Sequence, residues 1–234
     1  MIVILAFDGL EYEYVKRFGC KNLMQESFGK TDISDFTEPR TIVIWSSFLS
    51  GRNTEKEILS MENFWDFRLK PEETFFSGFN NFVAIDVPGF TFVRENHAKE
   101  RQGLKDFFEK KMTVEEFDKI AFENHKKTKK EFFDALDKGY EIVMGYFGLA
   151  DVIGHLSFGV ESKMKIIYTE LDEIARTVNE RADIRVLIIS DHGMKAVGRF
   201  GDHSNYGFWS LNNKVELQKP KITDFYGIIK KMKS

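Results

Sequence analysis

Four short apolar runs, Ile2 to Phe7, Phe82 to Val87, Ile142 to Phe147 and Val186 to Ser190, punctuate this 234-residue chain, and each stops at Gly, Pro, Asp or Ser. Runs of this length, rich in Val, Ile and Phe and bounded by turn formers, read as buried strands, and helical periodicity fills the segments between them. That alternation restricts the chain to an α/β architecture, because parallel strands need crossover connections that lay helices on the faces of the sheet. The expected core is a mainly parallel sheet with helices on both sides. Ligands of such sheets bind outside the carboxyl ends of the strands, so the turns after these runs carry the functional reading.

Those turns are rich in carboxylates and imidazoles. Asp8 follows the first run, Asp151-Val-Ile-Gly-His155 the third and Asp191-His192 the fourth, with Gly201-Asp202-His203 a few residues beyond. The i, i+4 spacing of Asp151 and His155 brings both side chains to one side of a helical turn. Asp191 and His192 are adjacent, so they diverge in an extended chain and turn toward separate ions where the strand breaks at Gly193. Carboxylate oxygen and neutral imidazole nitrogen together suit a borderline divalent ion such as zinc, bound at about 2.0–2.2 Å. Two ions are easier to place than one. His97 and His125 lie in polar or helical surroundings away from these motifs and are expected at the surface.

Elsewhere the pattern is structural. Thr113-Val-Glu-Glu116 is a capping box opening a helix that carries Phe117, Ile120, Ala121, Phe132, Phe133 and Leu136 before Gly139 ends it. A second helix, around Lys163 to Arg181, places Ile167, Leu171, Ile174 and Val178 on one face. Phe208 to Leu211, Asn212-Asn213 and Lys214 to Leu217 read as a hairpin, and Thr223-Asp224 begins a short terminal helix. With no internal repeat, low-complexity tract or linker, residues 1–234 read as a single domain.

Composition narrows the partners. No run approaches the roughly 18 apolar residues of a membrane span, so no membrane association is expected. Formal net charge is −3, and the pairs Lys126-Lys127 and Lys129-Lys130 fall in a segment of helical period, as a solvated face does, so no nucleic-acid polymer is expected. The single cysteine, Cys20, excludes an intrachain disulfide and fits a reducing cytoplasm. A small soluble substrate is the expected ligand.

Thr41 heads a further helical segment, Thr41 to Ser50-Gly51. In chain order the polar positions are then Asp8, Thr41, Asp151 with His155, Asp191 with His192, and His203. This order resembles the alkaline phosphatase superfamily, most closely its type I phosphodiesterase/nucleotide pyrophosphatase branch. There a Thr nucleophile opens a helix and lies ten residues before a Gly that follows a small polar residue, the spacing of Thr41 and Gly51. The resemblance implies a three-layer α/β/α sandwich around a mainly parallel, mixed central sheet. It also implies two divalent cations, zinc first and manganese second. One would be held by Asp151, His155 and His203, the other by Asp8, Asp191 and His192 with the Thr41 hydroxyl.

The expectation that follows is a two-metal phosphohydrolase, a phosphodiesterase of small phosphate esters working through a phospho-threonine intermediate on Thr41. A metal-dependent phosphomutase and a phosphonate hydrolase of the same superfamily are the alternatives. A sulfatase is disfavoured because no Cys or Ser begins a Cys/Ser-x-Pro-x-Arg motif near position 41. The Asn that contacts phosphoryl oxygen in the nucleotide-hydrolysing enzymes aligns with Glu62, beside Asn63, which makes Asn63 the candidate substrate contact. Those enzymes carry a long insertion between the Asp-His pair and the last His. Here Met194 to Asp202 is the whole connection, so the domain is expected to lack a large cap and to leave the site open, unless the Phe-rich stretch from Phe64 to Phe92 supplies a wall.

Overall fold

The structure, a computed structural model, describes residues 1–233. In chain order the elements are β1 (Ile2–Phe7), α1 (Tyr12–Arg17), α2 (Lys21–Met24), β2 (Ser27–Asp32), α3 (Thr41–Ser50), α4 (Glu55–Leu59), β3 (Phe82–Ile85), α5 (Ala98–Phe108) and α6 (Val114–Leu136). They continue with β4 (Ile142–Phe147), α7 (Leu149–Ser157), α8 (Glu161–Asn179), β5 (Arg185–Ile189), β6 (Met194–Val197), β7 (Phe200–His203), β8 (Tyr206–Leu211) and α9 (Phe225–Met232). Six strands form one sheet in the order β2-β8-β5-β1-β4-β3. The four strands from β5 to β3 run parallel, and β8 is antiparallel to both β5 and β2.

β1 shows why the runs had to be apolar. Its residues feed two separate cores by turns: Ile2, Ile4 and Ala6 pack with Trp45 and Phe48 of α3 and Phe225 and Ile229 of α9. Val3, Leu5 and Phe7 pack on the other face with Phe132 of α6, Ile153 of α7 and Leu171 of α8. A strand covered on both faces has no solvent side on which to carry a polar residue. The result is the three-layer α/β/α sandwich with a mixed, mainly parallel sheet.

The capping box is present: the Glu116 carboxylate accepts from the Thr113 amide at 2.8 Å and the Thr113 hydroxyl accepts from the Glu116 amide at 3.2 Å. The hairpin expected over 208–217 does not form. β8 pairs with β2 and β5 instead, and Asn212 is used to close the end of β5, accepting from the Val186 amide at 2.8 Å and donating to the Ile184 carbonyl at 2.9 Å. β2, whose sequence Ser-Phe-Gly-Lys-Thr-Asp lacks an apolar run, is a half-exposed edge strand. His125 is not at the surface: it is buried on α6 with Nε2 3.1 Å from Glu170. Among the described residues no helix is long and apolar enough to cross a membrane.

Candidate metal centre and its cavity

The carboxyl ends of β1, β4 and β5 deliver the acids. Asp8 follows β1 directly, Asp191 lies two residues past the end of β5, and Asp151 stands in the first turn of α7, which β4 enters through Gly148. Gly9 makes the approach possible. It has φ +69°, and a Cβ there would come within 2.9 Å of the Asp151 backbone, so only glycine lets the turn after β1 pass this close to α7. His192 comes from the loop after β5 and His203 from the end of β7.

Each carboxylate has one oxygen held and the other free. Tyr146 donates its hydroxyl to Asp8 Oδ2, and the Gly9 amide donates to Asp191 Oδ1 at 3.4 Å. Asp151 Oδ2 lies 3.3 Å from His155 Nε2. The remaining oxygens, Asp8 Oδ1, Asp191 Oδ2 and Asp151 Oδ1, are buried without hydrogen-bond partners, as are Nε2 of His192 and of His203. His192 Nδ1 lies 3.0 Å from the Gly193 carbonyl, which only accepts, so Nδ1 carries a proton there, and Nε2, which faces the carboxylates, offers a lone pair once a cation displaces the proton those acids hold on it. Buried polar atoms without partners are costly. Five of them converging at one sheet edge form a candidate ligand set for cations.

The atoms fall into two groups, Asp8, Asp191 and His192, and Asp151, His192 and His203, the ligand atoms of each within 4.8 Å of one another. His192 Nε2 belongs to both, 3.2 Å from Asp8 Oδ1, 3.4 Å from Asp191 Oδ2 and 4.0 Å from Asp151 Oδ1. Its ring stacks on that of His203 at 3.7 Å. His155 is placed beside Asp151 rather than inside either group. The adjacency argument for Asp191 and His192 had assigned them to separate ions, whereas the geometry puts His192 between the two groups.

The electrostatics agree. Burial opposes ionisation of Asp191, and the charge on Asp8 adds to it, so its carboxyl is pushed well above the usual range. Burial also works against Asp151, but His155, His203 and His192 outweigh it and hold that carboxyl low. The Asp151 charge lifts His155 to about 9. Burial disfavours charge on His192, but Asp191 and Asp8 override it and raise this imidazole to about 10. Crowded acids here recruit whatever positive charge is at hand.

Thr41 is the first residue of α3, and no side chain caps that end, where Arg40 occupies the N-cap. The first-turn amides are therefore free to meet an anion. At the other end Gly51 is the left-handed C-cap, φ +69°, so the ten-residue spacing from Thr41 is the length of the helix. Thr41, Asp8, Asp151 and His155 share one cavity of about 280 Å³. Asn63 precedes the turn Phe64–Asp66 that brings Trp65 to the cavity, and is not itself a lining residue.

Sequence reasoning missed the far part of this cavity, formed by Asp86, His97, Glu100, Arg101 and Asn124. β3 stops at Ile85, not Val87, because Asp86 takes φ +59° and turns the chain out of the sheet. His97 is not a surface residue. Its Nε2 is 2.6 Å from Asp86, its Nδ1 2.8 Å from Glu100, and its side chain is 13% exposed. A strand-like run stopping at an Asp before Val-Pro-Gly was the available signal, the same signature as Asp8.

The sequence matches no protein-family profile, and no curated protein matches it. Solved structures do. A sulfatase from Pseudoalteromonas sp., PsFucS1, aligns at a TM-score of 0.50 with 10% identity, over 99% of this chain and 67% of that one. Murine ectonucleotide pyrophosphatase/phosphodiesterase 5 aligns at 0.49 with 13% identity over 85% of this chain, and an inactive form of it in complex with AMP at 0.49 with 11%. The fold is alkaline phosphatase-like. This chain spans 58% of the length of the murine enzyme. At these identities the likeness is one of fold, and the chemistry rests on the site itself.

Proposed function

We propose that the chain is a two-metal phosphohydrolase, in first place a phosphodiesterase acting through phospho-Thr41, built as a single catalytic domain without a large cap. The carrying observation is the convergence of five unpartnered buried ligand atoms, two of them on Asp8 and Asp151, which line the same cavity as Thr41 at its uncapped helix N-terminus. The donor set of carboxylate oxygen and imidazole nitrogen fits zinc, with manganese as the alternative. Asp151, His155 and His203 would hold one ion; Asp8, Asp191, His192 and Thr41 the other. The bound ions would supply Lewis acidity, lowering the pKa of the Thr41 hydroxyl and offsetting charge on the phosphoryl and departing oxygens.

The chain's residues supply the rest. Thr41 Oγ forms the new bond to phosphorus while the bond to one ester oxygen breaks, and the first-turn amides of α3 donate to the phosphoryl oxygens as charge builds on them. Water then attacks phospho-Thr41 and releases the monoester. Tyr146 holds Asp8 from behind, and the Gly9 amide holds Asp191, so that each presents one oxygen. A threonine at position 41, with no Cys/Ser-x-Pro-x-Arg motif there, favours phosphate over sulfate esters. The substrate is a small ester in the cavity and not a polymer, and Asn63 is a candidate contact only if the loop before Trp65 turns inward.

Thr41→Ala should lower turnover of 4-nitrophenyl diesters by a factor on the order of 10⁴ or more, with metal content unchanged. Acid-quenched wild-type protein should carry on Thr41, by mass spectrometry, one phosphoryl group that still bears the substrate's second ester. A Thr41→Ala protein that keeps most of its rate would mean that water attacks directly and that the phospho-threonine reading is wrong.

A further inference from the structure

We infer that the far part of the cavity is a subsite for an uncharged, hydroxyl-bearing ester group on the substrate, built by Asp86, His97 and Glu100 against an aromatic wall. The inference rests on the phosphohydrolase reading only for what lies at the near end. The two ends are linked by packed rings. Tyr146, bonded to Asp8, meets Phe92 edge-on at 6.3 Å; Phe92 stacks on His97 at 4.5 Å and on Trp65 at 5.5 Å. A group attached to a phosphate held near Thr41 therefore runs along Phe92 toward His97.

The polar groups at this end are not explained by packing. Asp86 pays for a left-handed backbone, φ +59°, a conformation that non-glycine residues adopt at a cost and that clusters at functional positions. It stands at the carboxyl edge of the sheet beside β4, as Asp8 and Asp191 do beside their own neighbours. Both nitrogens of His97 are taken by carboxylates, so the ring has no free N–H for a ligand. What the subsite offers instead is carboxylate oxygens, which accept and cannot donate when ionised. The ligand must therefore donate.

Charge selects among donors. Burial disfavours a charged His97, but the hydrogen bonds and charges of Asp86 and Glu100 overcome it and lift the imidazole to about 9, so it is a cation at neutral pH. Arg101, which lines the same cavity, is a second cation; burial and the neighbouring Arg94 work against its charge, Glu95 and Glu100 favour it, and Arg94 and Glu95 offset each other. Two carboxylates against two cations leave no net charge to attract an ammonium group. An alcohol, whose carbons lie on Phe92 and Trp65 and whose hydroxyls reach the carboxylates, meets all three conditions.

Three diesters with a common 4-nitrophenyl group test this: the 2,3-dihydroxypropyl, propyl and 3-aminopropyl esters. Their affinities for Thr41→Ala protein with Zn²⁺ are measured by calorimetry, and their turnover by the wild type separately. The dihydroxypropyl ester should bind at least fivefold more tightly than the other two. Asp86→Asn and Glu100→Gln, each made separately in case one misfolds, should bring that preference within twofold while propyl binding stays unchanged. Equal affinity for the propyl ester, preference for the aminopropyl ester, or a preference that survives in both folded variants would overturn the subsite. A binding preference without wild-type turnover would instead overturn the hydrolase reading and uphold the subsite.

Discussion

Two clusters of histidine and carboxylate meet one cavity, the first through Asp8, Asp151 and His155 and the second through Asp86, His97 and Glu100, and they differ in what they lack. Around His192, five buried ligand atoms have no partner. Around His97, both ring nitrogens are bonded and the ring is stacked on Phe92. An imidazole with both nitrogens spent cannot ligate a metal, because ligation needs a lone pair on a neutral ring. The same two residue types thus yield a candidate cation site where hydrogen bonds are withheld and a rigid wall where they are completed.

The sharpest way to break that contrast is to remove each histidine. His192→Ala deletes a ligand atom lying between both groups and should cost the ion it would hold with Asp8 and Asp191, well beyond the roughly 10–100-fold in affinity that loss of an outer hydrogen bond costs. His97→Ala should leave metal content at the wild-type value. Elemental analysis of the two purified variants decides it, and metal loss in His97→Ala would erase the distinction.

A smaller effect is expected at Tyr146, which touches Asp8 but offers no ligand atom to either group. Tyr146→Phe should weaken binding of the ion held by Asp8 and Asp191 by about 10–100-fold, as loss of such supporting hydrogen bonds does elsewhere. Competition with a chromophoric chelator measures it. Unchanged affinity would mean that Asp8 is positioned by the strand end alone.

The gentlest test is pH. His97 is raised from 6.5 to about 9 by Asp86 and Glu100 against the effect of burial. Its contribution to stability is complete below the unfolded pKa of about 6.5 and is lost as pH rises through about 9. Chemical denaturation of metal-free protein should show a decline over that window to which His97 contributes on the order of 3 kcal/mol, beside His155 and His192, which are raised to about 9 and 10, and His97→Gln should lessen it by that amount. An identical decline in His97→Gln would assign it to other groups.

The comparison also shows what was legible in the sequence. Asp8, Asp151, His155, Asp191, His192 and His203 stood out because strand-end position and short-range motifs are local, and the sheet then gathers what its edge displays. Apolar runs announced β1, β4 and β5 for the same reason: burial on both faces forbids polar residues. The His97 cluster was hidden, since Asp86 and His97 are joined only by the path of a loop, and a left-handed aspartate leaves no mark in composition. β2 was hidden because an edge strand tolerates polar residues, and the false hairpin arose because Asn212 serves as a side-chain partner of β5 rather than as a turn. The sharing of His192 by two groups was beyond reach, since adjacency in sequence says which way two side chains diverge and not how far one of them extends.

Metal stoichiometry addresses the centre most directly. Protein prepared without chelator and saturated with Zn²⁺ or Mn²⁺ should hold two ions per chain, and His192→Ala fewer than two. A reproducible single equivalent at saturation, or none, would contradict the two-ion centre on which the proposed chemistry depends.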